Sequence, residues 1–166
     1  MPATPSSLAQ SKALRLLAGK SYSEEKLREK LQASEFEEEV VEDTLLYLKS
    51  RGYLDDEKLC GSLFRKFAQS GRYGRRQIAA KLRAQGFSAA LVNQYMKEYD
   101  QDEEAAQALN LARRRYRQKF DGEALTKTEL DKIAGYLTGR GFSYQAVMKA
   151  ADALLADLKY GGVELP

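Results

Sequence analysis

The chain has no histidine, a single cysteine at Cys60, and only three prolines, Pro2, Pro5 and Pro166, all close to its ends. The missing histidines and the lone cysteine exclude disulfide frameworks, Cys/His zinc sites and histidine-based acid–base catalysis. With no proline in the interior, no backbone amide there is lost as a helix donor, and helix is the expected state throughout. No apolar run reaches the roughly 18 residues that would span a bilayer. The opening Met-Pro-Ala-Thr-Pro-Ser-Ser lacks the basic region and apolar stretch of a secretory signal. Neither a Walker A pattern nor a GxGxxG between strand and helix occurs, so nucleotide hydrolysis is not expected. Cys60 lies in an apolar helical stretch and reads as a small buried hydrophobe; an activated thiol needs an electropositive setting. These absences predict a soluble, cytoplasmic, non-enzymatic protein without cofactor, metal or membrane association.

What is present is a phrase used three times: an apolar pair four residues apart, a phenylalanine five residues on, then a short apolar run. It reads Leu27, Leu31, Phe36, Val40, Val41; then Ile78, Leu82, Phe87, Leu91, Val92; then Ile133, Leu137, Phe142, Ala146, Val147. Recurrence of this kind marks tandem supersecondary units that share a buried face. The 51 and 55 residues between the phenylalanines exceed the 34 or so of a tetratricopeptide unit and predict three helices per copy. The chain divides accordingly into residues 1–52, with a flexible N-terminus, 53–100 and 101–166. The 166 residues, 43% of them hydrophobic, suffice for a packed core.

Helices are expected near Leu8–Ala18, Ser23–Ala33 and Glu37–Arg51 in the first copy. Ser23 caps the second of these, with Glu24 and Glu25 in its first turn, where the helix dipole favours negative charge. In the second copy Asp55 caps a helix running to about Gln69 that turns Leu59, Leu63 and Phe67 inward. A helix carrying Ile78 and Leu82 follows, then one starting at Ser88. The third copy opens with a helix from about Asp102 to Lys119, its inner face Ala105, Ala108, Leu109, Ala112 and Tyr116. Thr126–Glu129 then forms a capping box, and the last helix runs from Ser143 to Leu158. The residue before each phenylalanine is Glu35, Gly86 or Gly141. Glycine accepts a left-handed terminus freely, whereas glutamate there costs about 1–2 kcal/mol, so the first junction is expected to differ.

Net charge is only +3, but the basic residues are clustered. Arg72-Tyr73-Gly74-Arg75-Arg76 sets three guanidinium groups around one aromatic ring in a loop leading into a helix, a combination able to clamp phosphates and stack on a base. Arg113, Arg114, Arg115, Arg117 and Lys119 end a long helix, where positive charge is favoured in any case. Spread at about 100° per residue, they form a broad positive surface; Lys81 is counted with these candidates. The acidic pairs and runs at Asp55–Asp56 and Asp100–Glu104 match no EF-hand spacing and sit where helix starts attract acids.

Ser23-Glu24-Glu25-Lys26-Leu27-Arg28-Glu29-Lys30-Leu31, Gly52-Tyr53-Leu54-Asp55-Asp56, Gly74-Arg75-Arg76-Gln77-Ile78 with Leu82 and Gly86, and Arg140-Gly141-Phe142 together resemble the RecX family of bacterial recombination regulators. The likeness runs from about Ala13 to Leu158. It departs at Leu59-Cys60, where relatives often carry Phe-Ala, and at Glu35. The resemblance implies an all-α chain of three tandem three-helix repeats in an elongated, curved array. It also implies binding to RecA and the groove of the RecA filament on single-stranded DNA, suppressing RecA's ATPase, strand exchange and co-protease activities, with direct DNA contact left open; a monomer is expected. Two other classes stand beside it: a stand-alone, sequence-nonspecific DNA binder, and a scaffold for unrelated partners.

Overall fold

The computed structural model describes residues 2–116 and 125–160, and all regular structure among them is helical. In chain order the helices are α1 (Pro5–Gly19), α2 (Glu24–Gln32), α3 (Glu38–Ser50), α4 (Asp56–Ser70), α5 (Arg75–Ala84), α6 (Ala89–Glu98), α7 (Gln101–Tyr116), α8 (Lys127–Gly139) and α9 (Tyr144–Tyr160). The three copies of the apolar phrase fall on α2–α3, α5–α6 and α8–α9. The chain forms two compact units, Met1–Leu63 with Lys81–Val92, and Phe64–Ala80 with Asn93–Pro166.

In the first unit α1, α2 and α3 enclose Ala13, Leu27, Leu31, Val41, Leu45, Leu48 and Leu54, with Leu14, Leu17, Tyr22 and the half-buried Phe36 packed around them. Each fully buried leucine is worth about 1.5–3 kcal/mol in transfer free energy. Ser23 caps α2, its Oγ accepting the Lys26 amide at 3.2 Å and donating to the Gln85 carbonyl at 2.5 Å. A carboxylate oxygen of Asp56 accepts the Glu24 amide at 2.9 Å, closing a second open donor of the same helix start. Asp55 caps α4 through the Lys58 amide.

In the second unit α7 lies against α9 through small residues. Ala105, Ala108 and Ala112 on one helix and Ala146 and Ala150 on the other are buried in one cluster with Leu111, Ile133, Leu137, Phe142, Val147 and Leu154. Small side chains let two helix axes approach closely. Thr126 and Glu129 form the expected capping box at the start of α8. Asp100 caps α7, accepting the amides of Asp102 and Glu103.

Three expectations from the sequence are corrected. The junction at Glu35 does not differ: Glu35 has φ +63°, the left-handed conformation of Gly86 (+90°) and Gly141 (+87°). It is solvent-exposed, so its β-carbon meets backbone strain without steric obstruction from a packed neighbour. On α4 the fully buried positions are Cys60, Gly61 and Ala68, whereas Leu59, Leu63 and Phe67 are half-buried. Small residues occupy the line of closest packing and the larger ones flank it. On α7 Leu111 is buried and Leu109 only half-buried, and Glu104, at the head of that stripe, is completely buried.

Candidate functional site

Loop 71–74 joins α4 to α5 within the second unit. Gly71 ends α4 with φ +64°. Gly74 is required for a different reason: a β-carbon there would lie 2.1 Å from the Phe142 amide nitrogen and 2.3 Å from the Gly141 carbonyl carbon. Real β-carbons do not approach so closely, so the loop and the turn from α8 to α9 dovetail backbone on backbone. The Gly74 amide donates to the Arg140 carbonyl at 2.9 Å, and the Arg76 amide to the Gly141 carbonyl at 2.9 Å. Side chains add three more ties: Arg76 Nη2 to the Thr138 carbonyl (3.1 Å), Gln77 Nε2 to the Gly139 carbonyl (2.9 Å) and Arg140 Nε to the Arg72 carbonyl (2.9 Å). The Arg140 guanidinium also stands 4.9 Å from the centre of the Tyr73 ring. Tyr73 in turn meets Phe67 edge to face.

Below this surface lies Glu104. Its Oε1 accepts the Arg75 amide (2.9 Å) and the Ser143 amide (3.0 Å), and its Oε2 accepts Arg75 Nε (3.2 Å) and Ser143 Oγ–H (2.9 Å). One buried carboxylate thereby serves the first residue of α5 and the cap of α9, whose Ser143 Oγ also accepts the Ala146 amide. A buried charge survives only when paired and fully hydrogen-bonded, and these four donors, one of them the Arg75 guanidinium, supply that. The rest of the Arg75 side chain is engaged as well: its Nη atoms donate to the carbonyls of Met96 and Tyr99, and it covers the Tyr99 ring at 5.1 Å. Burial first, and then the charges of Glu104 and Glu103, push the Tyr99 hydroxyl up to about 12.

The predicted site residues therefore separate into groups. Arg72 and Arg76 are exposed, with Tyr73 half-buried between them, whereas Arg75 is turned inward and its side chain is only 23% exposed. Of the α7 cluster, Arg114 reaches the loop, its Nη2 3.4 Å from the Gly71 carbonyl. Arg113 pairs with Asp157 at 2.5 Å, and Arg115 lies over the Tyr136 ring at 4.9 Å. Lys81 is half-buried on α5. Arg117 and Lys119 lie outside the described residues. Sequence reasoning missed Arg140 as a neighbour of the loop and Glu104 as its support. Glu104 was legible in one respect: it precedes Ala108 and Leu111 by four and seven residues, which sets a charge at the head of an apolar stripe.

A family model described as the first three-helix domain of RecX matches residues 9–48. Regulatory protein RecX of Clostridioides difficile is 31% identical over 89% of this chain and 68% of its own length. That of Trichlorobacter lovleyi is 34% identical over 78% of this chain and 84% of its own. The chain belongs to the RecX family of regulatory proteins. The crystal structure of RecX from Lactobacillus salivarius superimposes with a TM-score of 0.80, covering 93% of this chain and 97% of that one, at 17% sequence identity. A second crystal structure, of regulatory protein RecX, gives 0.75 over 89% of this chain at 23% identity. Those two likenesses bear on the fold, which is thus the RecX all-helical fold. In this RecX family member Arg114 meets loop 71–74 at the Gly71 carbonyl and Arg140 meets it at the Arg72 carbonyl, beside the exposed Arg72 and Arg76 of the second unit. Among the described residues no helix is long and apolar enough to cross a membrane.

Proposed function

We propose that this chain is a non-enzymatic regulator of homologous recombination and DNA repair, acting in the cytoplasm as a monomer. It binds RecA and lodges in the groove of the RecA filament on single-stranded DNA, where it inhibits ATP hydrolysis, strand exchange and co-protease activity. The observation that carries this reading is membership of the RecX family over most of the chain's length. The basic surface supports it: exposed guanidinium groups around a tyrosine suit a polyanionic filament, to which arginine contributes a fixed charge and planar donors.

The test is RecA's single-strand-dependent ATPase with the chain added. Inhibition at amounts stoichiometric with RecA is expected, and an unchanged rate overturns the proposal. Salt separates this reading from a stand-alone DNA binder. An electrostatic DNA binder loses affinity log-linearly, with a slope of about −0.7 per phosphate contacted on a single strand. A filament binder keeps its RecA-dependent association at moderate salt.

A further inference from the structure

We infer that Glu104 is the positioning residue of the basic surface, and that Arg140 belongs to that surface with Arg72 and Arg76. The inference rests on the reading of that surface as the contact face for the filament.

Loop 71–74 has one apolar anchor, the half-buried Tyr73 ring against Phe67; Arg72 is exposed and Gly71 and Gly74 carry no side chain. What fixes it is backbone docking on the α8–α9 turn, and both partners of that docking are fastened to Glu104. Arg75, next to Gly74, gives it an amide and a guanidinium N–H, and Ser143, next to Phe142, gives it an amide and a hydroxyl. The carboxylate thus pins both sides of the seam at once. An apolar side chain in its place would leave the Arg75 and Ser143 amides and the Arg75 guanidinium without an acceptor. The carboxylate therefore fixes the relative placement of the two segments as well as satisfying their donors.

The arrangement it fixes has a chemical use. Arg75 is consumed in holding the loop, which leaves Arg72 and Arg76 exposed beside the half-buried Arg140 across the seam. Arg72 has no side-chain partner among the described residues. Arg76 and Arg140 each give one N–H to a carbonyl across the seam, and Arg140 also covers Tyr73. A guanidinium carries five N–H donors, so both retain donors for an anionic partner. If the seam opens, Arg72 and Arg76 move with the loop and Arg140 with the turn, and three charges held in one geometry become independent.

The test compares the full chain with Glu104→Gln, with the triple variant Arg72→Ala/Arg76→Ala/Arg140→Ala, and with the two combined. Binding is measured to RecA filaments on oligo(dT), alongside amide hydrogen exchange. Glutamine places an NH2 where Oε2 accepts two donors. Glu104→Gln is expected to bind about tenfold more weakly at a temperature where circular dichroism shows the helices intact. It should add no further loss in the triple-variant background, whereas general destabilisation lowers binding in both. The amides of Gly74 and Arg76 should exchange faster while those inside α8 keep their protection. Wild-type binding by a folded Glu104→Gln overturns the inference. If that variant fails to fold, Ser143→Ala, which removes one donor to Glu104 and the α9 cap, takes its place under the same criteria, with Ser143→Gly as a second variant that lacks the same hydroxyl. Wild-type binding by the triple variant overturns the assignment of the surface and the inference with it. If the unaltered chain binds no filament, the proposed function fails instead, and the exchange of Gly74 and Arg76 alone decides whether Glu104 holds the seam.

Discussion

The turns before Phe36 and before Phe142 share a backbone shape and differ in what surrounds it. Glu35 takes a left-handed conformation on the surface of the first unit, with its side chain in solvent. Gly141 takes the same conformation inside the second unit, where a β-carbon would lie 2.6 Å from the Gln77 amide nitrogen. Glycine at such a position answers two separate demands, one conformational and one steric. The first copy of the phrase shows that the conformational demand alone can be met by another residue. The third shows a turn that has become part of a seam, where only glycine fits. The two regions also use arginine differently: Arg28 of the first unit is surrounded by Glu24, Glu25 and Glu42, while Arg72 and Arg76 of the second unit's loop are exposed and in no ion pair among the described residues.

The largest effect that bears on this comparison is expected from the phenylalanines themselves. Phe142 is 2% exposed at the centre of its cluster, so Phe142→Ala should destabilise the second unit by about 3–5 kcal/mol. Phe36 is half-buried at the edge of its cluster, and Phe36→Ala should lose clearly less in denaturant unfolding. Equal losses would mean that the two copies are packed alike.

Exchanging the junction residues sharpens the contrast. Gly141→Ala adds the left-handed penalty of about 1–2 kcal/mol and, on top of it, a clash with the Gln77 backbone. Glu35→Gly removes only the strain, and the freer unfolded chain takes part of that back, for a net gain of about 1 kcal/mol or less. Thermal unfolding of the two variants should shift in opposite directions. A gain from Gly141→Ala would refute the seam.

The smallest effect concerns the Arg28 network. Its hydrogen bond with Arg28 holds the Glu42 carboxyl below the ordinary 4.5. A lowered value means that the stabilisation is present above the unfolded pKa and is lost as pH falls through the lowered one. The side chains are 23% and 45% exposed, so solvent screening keeps the contribution to about 1 kcal/mol or less. Arg28→Ala should flatten the acid limb of the stability curve below pH 4.5 by that amount. An unchanged acid limb would show that the pair contributes nothing.

Most of the helical frame was legible in the sequence because its signals are local. The pairs Leu27 and Leu31, Ile78 and Leu82, and Ile133 and Leu137 are all buried, at 2% exposure or less. Ser23, Asp55 and Thr126 cap the helices their spacing assigned to them. The failures have a common cause: they depend on which neighbour a residue meets. Periodicity placed apolar residues across a broad arc of α4, but only the packing partners decide that Cys60 and Ala68 lie at its centre rather than Leu63. Three arginines in five residues look equivalent in a sequence. What distinguishes Arg75 is a carboxylate 29 positions away. The acidic run that ends at Glu104 resembles an ordinary helix start, and Asp100, Asp102 and Glu103 act as one; the fourth acid, Glu104, is buried against Arg75 and Ser143.

Exposed loops rich in arginine are commonly the first places where trypsin cuts and where extra residues can be inserted. Loop 71–74 is an exception by construction. Cleavage after Arg72 or Arg76 requires the local backbone to leave the dovetail with Gly141 and Phe142 and enter the protease extended, and lengthening the loop by one residue moves Gly74 away from its fit against that turn. Tags, labels and grafted epitopes belong elsewhere on the chain, and a map of early tryptic fragments should be nearly silent at the most arginine-dense stretch of its exposed loops.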